Sequence, residues 1–119
     1  MTENDLLYSL IKAAPIALPD LRIFRRNILN VLTAHGFRAR NGIVGQADAY
    51  ALVRGGGHVE IETKAACGKL AEAQVRWRSY CQAFGIPHLV LRARRNETPE
   101  QTVTRWIDEL RAVVESQDA

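Results

Sequence analysis

The stretch Ala47-Asp48-Ala49-Tyr50-Ala51-Leu52-Val53-Arg54-Gly55-Gly56-Gly57-His58-Val59-Glu60-Ile61-Glu62-Thr63-Lys64 decides the fold. Ala47, Ala49, Ala51 and Val53 alternate with Asp48, Tyr50 and Leu52. Beyond the glycine run, Val59, Ile61 and Thr63 alternate with Glu60, Glu62 and Lys64. Successive side chains of a strand point to opposite faces, so this period of two predicts two strands, each with two unlike faces. The glycines allow the tight reversal that pairs them antiparallel. Asp48, near the start of the first strand, then lies beside Glu62 to Lys64, near the end of the second.

The first of these strands reads from about Ile43 to Val53, interrupted near Gly45, and Phe37 to Arg40 forms a shorter strand ahead of it. Asn41-Gly42 between them is a strong hairpin signal, so the three strands make an antiparallel meander. Upstream, the helical spacing of Leu21, Phe24, Ile28, Val31 and Leu32 predicts a helix over about 20–35, stopped by Gly36. Leu6, Leu7, Leu10 and Ile11 predict another over 3–13, capped by Thr2 with Asp5 in the third position and broken by Pro15 to Pro19. Downstream, a loop over 65–69 leads to a helix over about 70–84 ended by Gly85, and Ile86 to Ala93 reads as a buried strand. Thr98-Pro99-Glu100 opens a last helix with Val103, Trp106, Ile107, Leu110 and Val114 on its apolar stripe. The order α-α-β-β-β-α-β-α, with a βαβ crossover into the last strand, predicts an α/β sandwich: a mixed central sheet flanked by helices, in a single domain over 1–119.

A chain of 119 residues can bury a core without disulfides or a structural metal. Cys67 and Cys81 form no CxxC motif and are expected to be reduced thiols. No apolar run approaches the roughly 20 residues of a membrane span, and the acidic start Met1-Thr2-Glu3-Asn4-Asp5 is unlike a targeting segment. The expectation is an intracellular, cytoplasmic protein with no membrane partner. The formal net charge is only +3, but thirteen of the sixteen basic residues are arginine, clustered at Arg22, Arg25 and Arg26, at Arg38 and Arg40, and at Arg92, Arg94 and Arg95. The planar guanidinium suits phosphate better than an ammonium does, so these clusters fit a polyanionic partner as well as a solvated surface.

The acidic strand carries the chemistry. Glu60, Glu62 and Lys64 share one face, and Asp48 reaches them from the neighbouring strand. A hard cation such as Mg²⁺ takes one or two carboxylates and keeps waters and a phosphate oxygen. Such an ion acidifies bound water and stabilises charge on phosphorus, while a nearby lysine holds the attacking water or neutralises the transition state. An E-x-E-x-K face is also what a solvated strand with cross-strand ion pairs shows; Asp48 and the following helix favour the metal site. In that helix the apolar stripe Leu70, Ala73, Trp77, Cys81 and Phe84 encloses Gln74. A buried amide must be paired, so Gln74 either caps a neighbouring backbone group or reaches the carboxylates. Gly68 and Lys69, at the expected helix start, sit where a phosphate approaches helix N–H groups.

Taken together, Gly45-Gln46-Ala47-Asp48, Glu62-Thr63-Lys64, Gly68-Lys69-Leu70 and Gln74-x-x-Trp77 resemble the VRR-NUC branch of the PD-(D/E)xK nuclease superfamily, over roughly residues 20–93. The resemblance implies a restriction-endonuclease-like αβββαβ core with extra N-terminal and C-terminal helices. It implies that Asp48, Glu62 and the Thr63 carbonyl ligate Mg²⁺ or Mn²⁺, that Lys64 serves the nucleophilic water, and that Gln74 assists. DNA is the implied substrate, with Lys69, Arg38, Arg40 and Arg76 as expected nucleic-acid contacts. Short stand-alone members are bacterial or viral and resemble Holliday junction resolvases that work as homodimers, as paired nicks in a four-way junction require. The proline usual before the motif aspartate is Ala47 here. In place of the glutamate often found in the first core helix the chain offers Asp20, and Glu60 is open to two roles, an outer ligand or an arginine's partner.

Other features point elsewhere. His35, His58 and His88 form no zinc pattern, and His58 reads as a surface residue at a turn exit. Cys67 has no histidine at a catalytic spacing, and Gly55 to Gly57 lacks the Lys-Ser/Thr of a phosphate-binding loop. Trp77 and Trp106 read as core. The leading expectation is a metal-dependent endonuclease on branched DNA. A nuclease for single-stranded, flapped or linear DNA and a non-catalytic DNA-binding or assembly module are the alternatives.

Overall fold

A computed structural model describes residues 2–26, 30–32, 38–40 and 45–117. The protein is α/β, with the order α1 (Glu3–Ala17), β1 (Leu21–Arg25), β2 (Asn30–Leu32), β3 (Arg38–Arg40), β4 (Ala49–Val53), β5 (Gly57–Lys64), α2 (Glu72–Ala83), β6 (His88–Arg92) and α3 (Pro99–Gln117). Four strands form a mixed sheet in the order β1-β4-β5-β6, and β2 pairs with β3 separately. The β4–β5 hairpin is the one the alternation predicts: Ala49 is paired with Ile61 and Val53 with Gly57, and the turn is made by Gly55 and Gly56 at φ values of 94° and 100°. The α2 crossover brings β6 parallel to β5, with Glu62 beside Val90 and Lys64 beside Arg92.

The expected helix over 20–35 is overturned. Leu21–Arg25 is instead the edge strand β1, antiparallel to β4 with Ile23 opposite Ala51, and Asn30–Leu32 is a second strand. Leu21-Arg22-Ile23-Phe24-Arg25 satisfies both periods over so short a run. Its burial alternates, with Leu21 and Ile23 inside and Arg22 and Phe24 outside, because pairing with β4 decides the matter. Arg38–Arg40 is a strand as expected, but its partner is β2 rather than β4. The Asn41-Gly42 turn, Phe37, Ile43 and the Gly36 helix stop lie outside the described residues.

The helix next to the sheet is therefore α1, which is part of the core and not an appendage. Thr2 and Asp5 form the predicted capping box, but the helix runs on through Pro15 to Ala17. Proline there removes one bond of the last turn, and the chain closes with Leu18 N–H donating to the Ala14 carbonyl at 2.7 Å. One face of the sheet meets α1 and α3 in the hydrophobic core: Leu7, Leu10, Leu21, Ala51, Val59, Ile61, Leu91, Trp106 and Leu110 are all buried. Trp106 is the largest of these, and its indole N–H donates to the Arg92 carbonyl. Side chains alternate along β5, so Glu60 and Glu62 emerge on the opposite face, towards α2. Among the described residues no helix is long and apolar enough to cross a membrane.

Candidate active site

Continuing the β4–β5 register by one residue sets Asp48 opposite Glu62. Thr63 anchors the Asp48 carboxylate, its backbone N–H and its hydroxyl both donating to Oδ2, at 3.0 and 2.9 Å. Thr63 was expected to contribute through its carbonyl; its amide and hydroxyl add a positioning role that neither motif nor period signals. Glu62 is only 2% exposed. Its Oε1 accepts from Gln74 Nε2 at 2.9 Å, while its Oε2 is buried and meets no hydrogen-bond donor among the described residues.

An acid in such surroundings resists ionisation. Burial first, then the Asp48 charge and a hydrogen bond with the Asp48 carboxylate, push the Glu62 carboxyl from 4.5 up to about 8, against the opposing pull of Lys64 and of the Asp48 backbone. Below about pH 8 the Glu62 carboxyl of the metal-free site therefore keeps its proton. Two converging carboxylates, one buried oxygen without a donor and an ammonium at the strand end suit a hard divalent cation that takes its remaining ligands from carbonyls, water or phosphate. Among the described residues no group of three His, Cys, Asp or Glu side chains converges to hold a metal.

Gln74 takes both of the roles that the sequence left open. Its Oε1 accepts from the Ala71 backbone N–H at 2.7 Å, capping α2, and this turns its NH₂ towards Glu62. The helix starts at Glu72, so Gly68 and Lys69 lie in the preceding loop and not at the helix N-terminus as expected. Lys69 is exposed there, and Arg92 braces the loop by donating to the Ala65 and Gly68 carbonyls. Gly45 has φ 89°, and a Cβ there would lie 2.3 Å from the Ala73 carbonyl oxygen, so the segment before Asp48 packs directly on the start of α2.

The outer face of α2 departs from the predicted apolar stripe. Cys81 is its one fully buried residue, while Phe84, Tyr80 and Val75 are exposed. Trp77 is half-buried and belongs to a polar contact: its indole N–H donates to Glu60 Oε1 at 3.0 Å. Glu60, 2% exposed, also receives Arg26 in a forked pair, Nη1 to Oε1 at 2.7 Å and Nη2 to Oε2 at 3.0 Å, and His58 Nε2 lies 2.5 Å from Oε2. Burial works upward on this carboxyl, but the Arg26 and His58 hydrogen bonds, the Arg26 charge and Trp77 outweigh it and hold Glu60 below its ordinary value. With both oxygens engaged, Glu60 takes the role of an arginine's partner. His58 is accordingly more than a surface residue at a turn.

Asp20 is 71% exposed and pairs with Arg54 at the opposite end of β4 from Asp48, far from any ligand role. Arg76 is exposed and pairs with Glu72 on its own helix. Arg38 and Arg40 lie in β3, and their side chains are outside the described residues. Sequence reasoning missed Glu3 and Arg26. Glu3, in the first turn of α1, accepts from the Ala65 N–H at 2.7 Å and so places a third carboxylate one residue beyond Lys64. An acidic first turn is ordinary helix chemistry, so nothing in the sequence marked Glu3. Neither a protein-family model nor a curated relative matches the chain.

Proposed function

We propose that this protein is a metal-dependent nuclease hydrolysing DNA phosphodiester bonds inside the cell, on a restriction-endonuclease-like αβββαβ core of the VRR-NUC kind. The observation that carries the reading is the buried Glu62 carboxyl set against the Asp48 carboxylate, with its Oε2 meeting no hydrogen-bond partner among the described residues. Such an atom is costly unless something cationic or a proton meets it. The order α1-β1-β4-β5-α2-β6, with β2 and β3 inserted after the first strand, supports the proposed core.

In this reading Asp48, Glu62 and the Thr63 carbonyl hold Mg²⁺ or Mn²⁺. Held there, the ion would supply an acidified water and offset charge building on phosphorus. Thr63 aims Asp48, and Gln74 holds one oxygen of Glu62 so that the other faces the site. Lys64 orients the attacking water and neutralises the phosphate. Arg95, which meets the Cys67 thiol, and the exposed Lys69 supply cationic side chains at the loop over 65–69 for flanking phosphates. Branched DNA cut by a homodimer is the substrate arrangement we favour, since two sites related by a twofold axis match two symmetric nicks.

The test is cleavage of a four-way junction with Mg²⁺ or Mn²⁺, beside single-stranded, flapped and linear duplex DNA, for the wild-type chain and Lys64→Ala. Metal-dependent nicking that Lys64→Ala abolishes supports the reading. Cleavage that survives excess EDTA, or none on any substrate with either metal, overturns it.

A further inference from the structure

The Arg26–Glu60 pair lies one step away from the two acids, on the same face of the sheet. Arg26 leaves β1 beside Asp48 and holds it from both sides. Its backbone N–H donates to the Asp48 carbonyl at 2.7 Å, and its Nη1 donates to the Ala47 carbonyl at 3.0 Å. These carbonyls belong to the two peptide planes that flank the Asp48 Cα, so a single arginine sets the backbone torsions that aim the Asp48 carboxylate. The rest of the guanidinium is committed to Glu60 by two further bonds, and its plane lies over the Tyr50 ring at 4.9 Å.

Glu60 carries the constraint to the other acid. It sits two residues before Glu62 on β5 and accepts the Trp77 indole N–H. Trp77 is one helical turn after Gln74, whose amide holds Glu62. Two alternate carboxylates of one strand are thus bonded to two residues spaced i, i+3 on one helix. Apolar burial does little to fix this helix, since Cys81 is its one fully buried residue. Polar tethers, together with the close packing of Gly45 on Ala73, therefore fix where α2 sits, and with it the Gln74 amide.

We propose that Arg26, Glu60 and Trp77 are positioning residues that fix the Asp48 carboxylate and the Gln74 amide together, and so set how tightly the site binds its divalent ion. The inference rests on the metal-site reading above. None of the three touches the proposed ligand oxygens. Supporting groups of this kind commonly change metal affinity or activity about 10–100-fold when altered.

Trp77→Phe keeps the ring and removes the N–H. Arg26→Lys keeps the charge but cannot make the fork and the Ala47 bond together. The readouts are Mn²⁺ binding by calorimetry and the Mn²⁺ concentration that half-saturates cleavage, each for chains whose folding is checked by circular dichroism. We expect both variants to bind Mn²⁺ about tenfold more weakly, with the rate recovering towards wild type at saturating Mn²⁺. A merely structural role would lower the folded fraction and leave the half-saturating concentration in place. Should Arg26→Lys fail to fold, Trp77→Phe carries the test alone. Wild-type Mn²⁺ affinity in a folded Trp77→Phe overturns the inference while the nuclease reading stands. A wild-type chain that neither binds Mn²⁺ nor cleaves DNA overturns both.

Discussion

Raising the pH of the metal-free protein from 5 to 9 forces a second negative charge into the site, because Glu62 ionises beside Asp48. In the unfolded chain the Glu62 carboxyl titrates near 4.5, and in the folded one near 8. Between these values the folded chain binds the additional proton. The stability that this group contributes is fully present below about pH 4.5 and is lost as pH rises through about 8. Each tenfold in proton affinity is worth about 1.4 kcal/mol, which sets a ceiling of about 5 kcal/mol. Relaxation of the neighbouring loop and entry of water lessen such penalties, so we expect a loss of about 2–4 kcal/mol. For a domain of this size that lowers Tm by about 10 °C.

The assay is thermal unfolding in EDTA from pH 5 to pH 9, wild type beside Glu62→Gln, whose amide carries no titratable proton. Glu62→Gln should melt close to wild type at pH 5 and well above it at pH 9. With Mg²⁺ or Mn²⁺ present the wild-type deficit at pH 9 should close, because bound metal stabilises the ionised site and displaces the Glu62 proton. A melting difference between the two proteins that stays constant across the range would refute the reasoning.

Three other outcomes follow from the same geometry. Asp48→Ala should abolish metal-dependent cleavage while leaving the fold cooperative, as circular dichroism melting alongside the nicking assay will show. Gly45→Ala forces a Cβ into the Ala73 carbonyl at a positive φ, so it should displace the start of α2, cost about 1–3 kcal/mol and depress cleavage; unchanged activity and stability would show that the two segments separate freely. Trp106→Ala empties the centre of the core without touching the site, and urea unfolding should show about 3–5 kcal/mol lost.

Much of the site was legible because strands have an invariant local period. The alternation in 47–64 places Asp48, Glu62 and Lys64 on one surface whatever else the chain does, and Gly55-Gly56 sets the register that makes them meet. The position of Gln74 inside an otherwise apolar stripe was likewise a local signal, and the structure gives that amide two partners. A short amphipathic run that fits two periods is a different case. For Leu21–Arg25 the choice lies in the free edge of β4, a partner that no local window contains.

What the sequence by itself determined, then, is the hairpin, the crossover through α2 and the meeting of Asp48, Glu62 and Lys64 at one end of the sheet, because each depends on residues close along the chain. Only the tertiary structure decided that α1 packs on the sheet, that Glu60 is spent on Arg26, His58 and Trp77, and that Glu3 reaches the loop after Lys64. Those contacts join residues from 2 to 62 positions apart, and the longest of them form only after burial has brought β1, β5, α1 and α2 together. A carboxylate's role is set by what surrounds it in space: Glu60 and Glu62 share a strand and a face, yet one is fully paired and the other keeps a buried oxygen without a hydrogen-bond partner among the described residues.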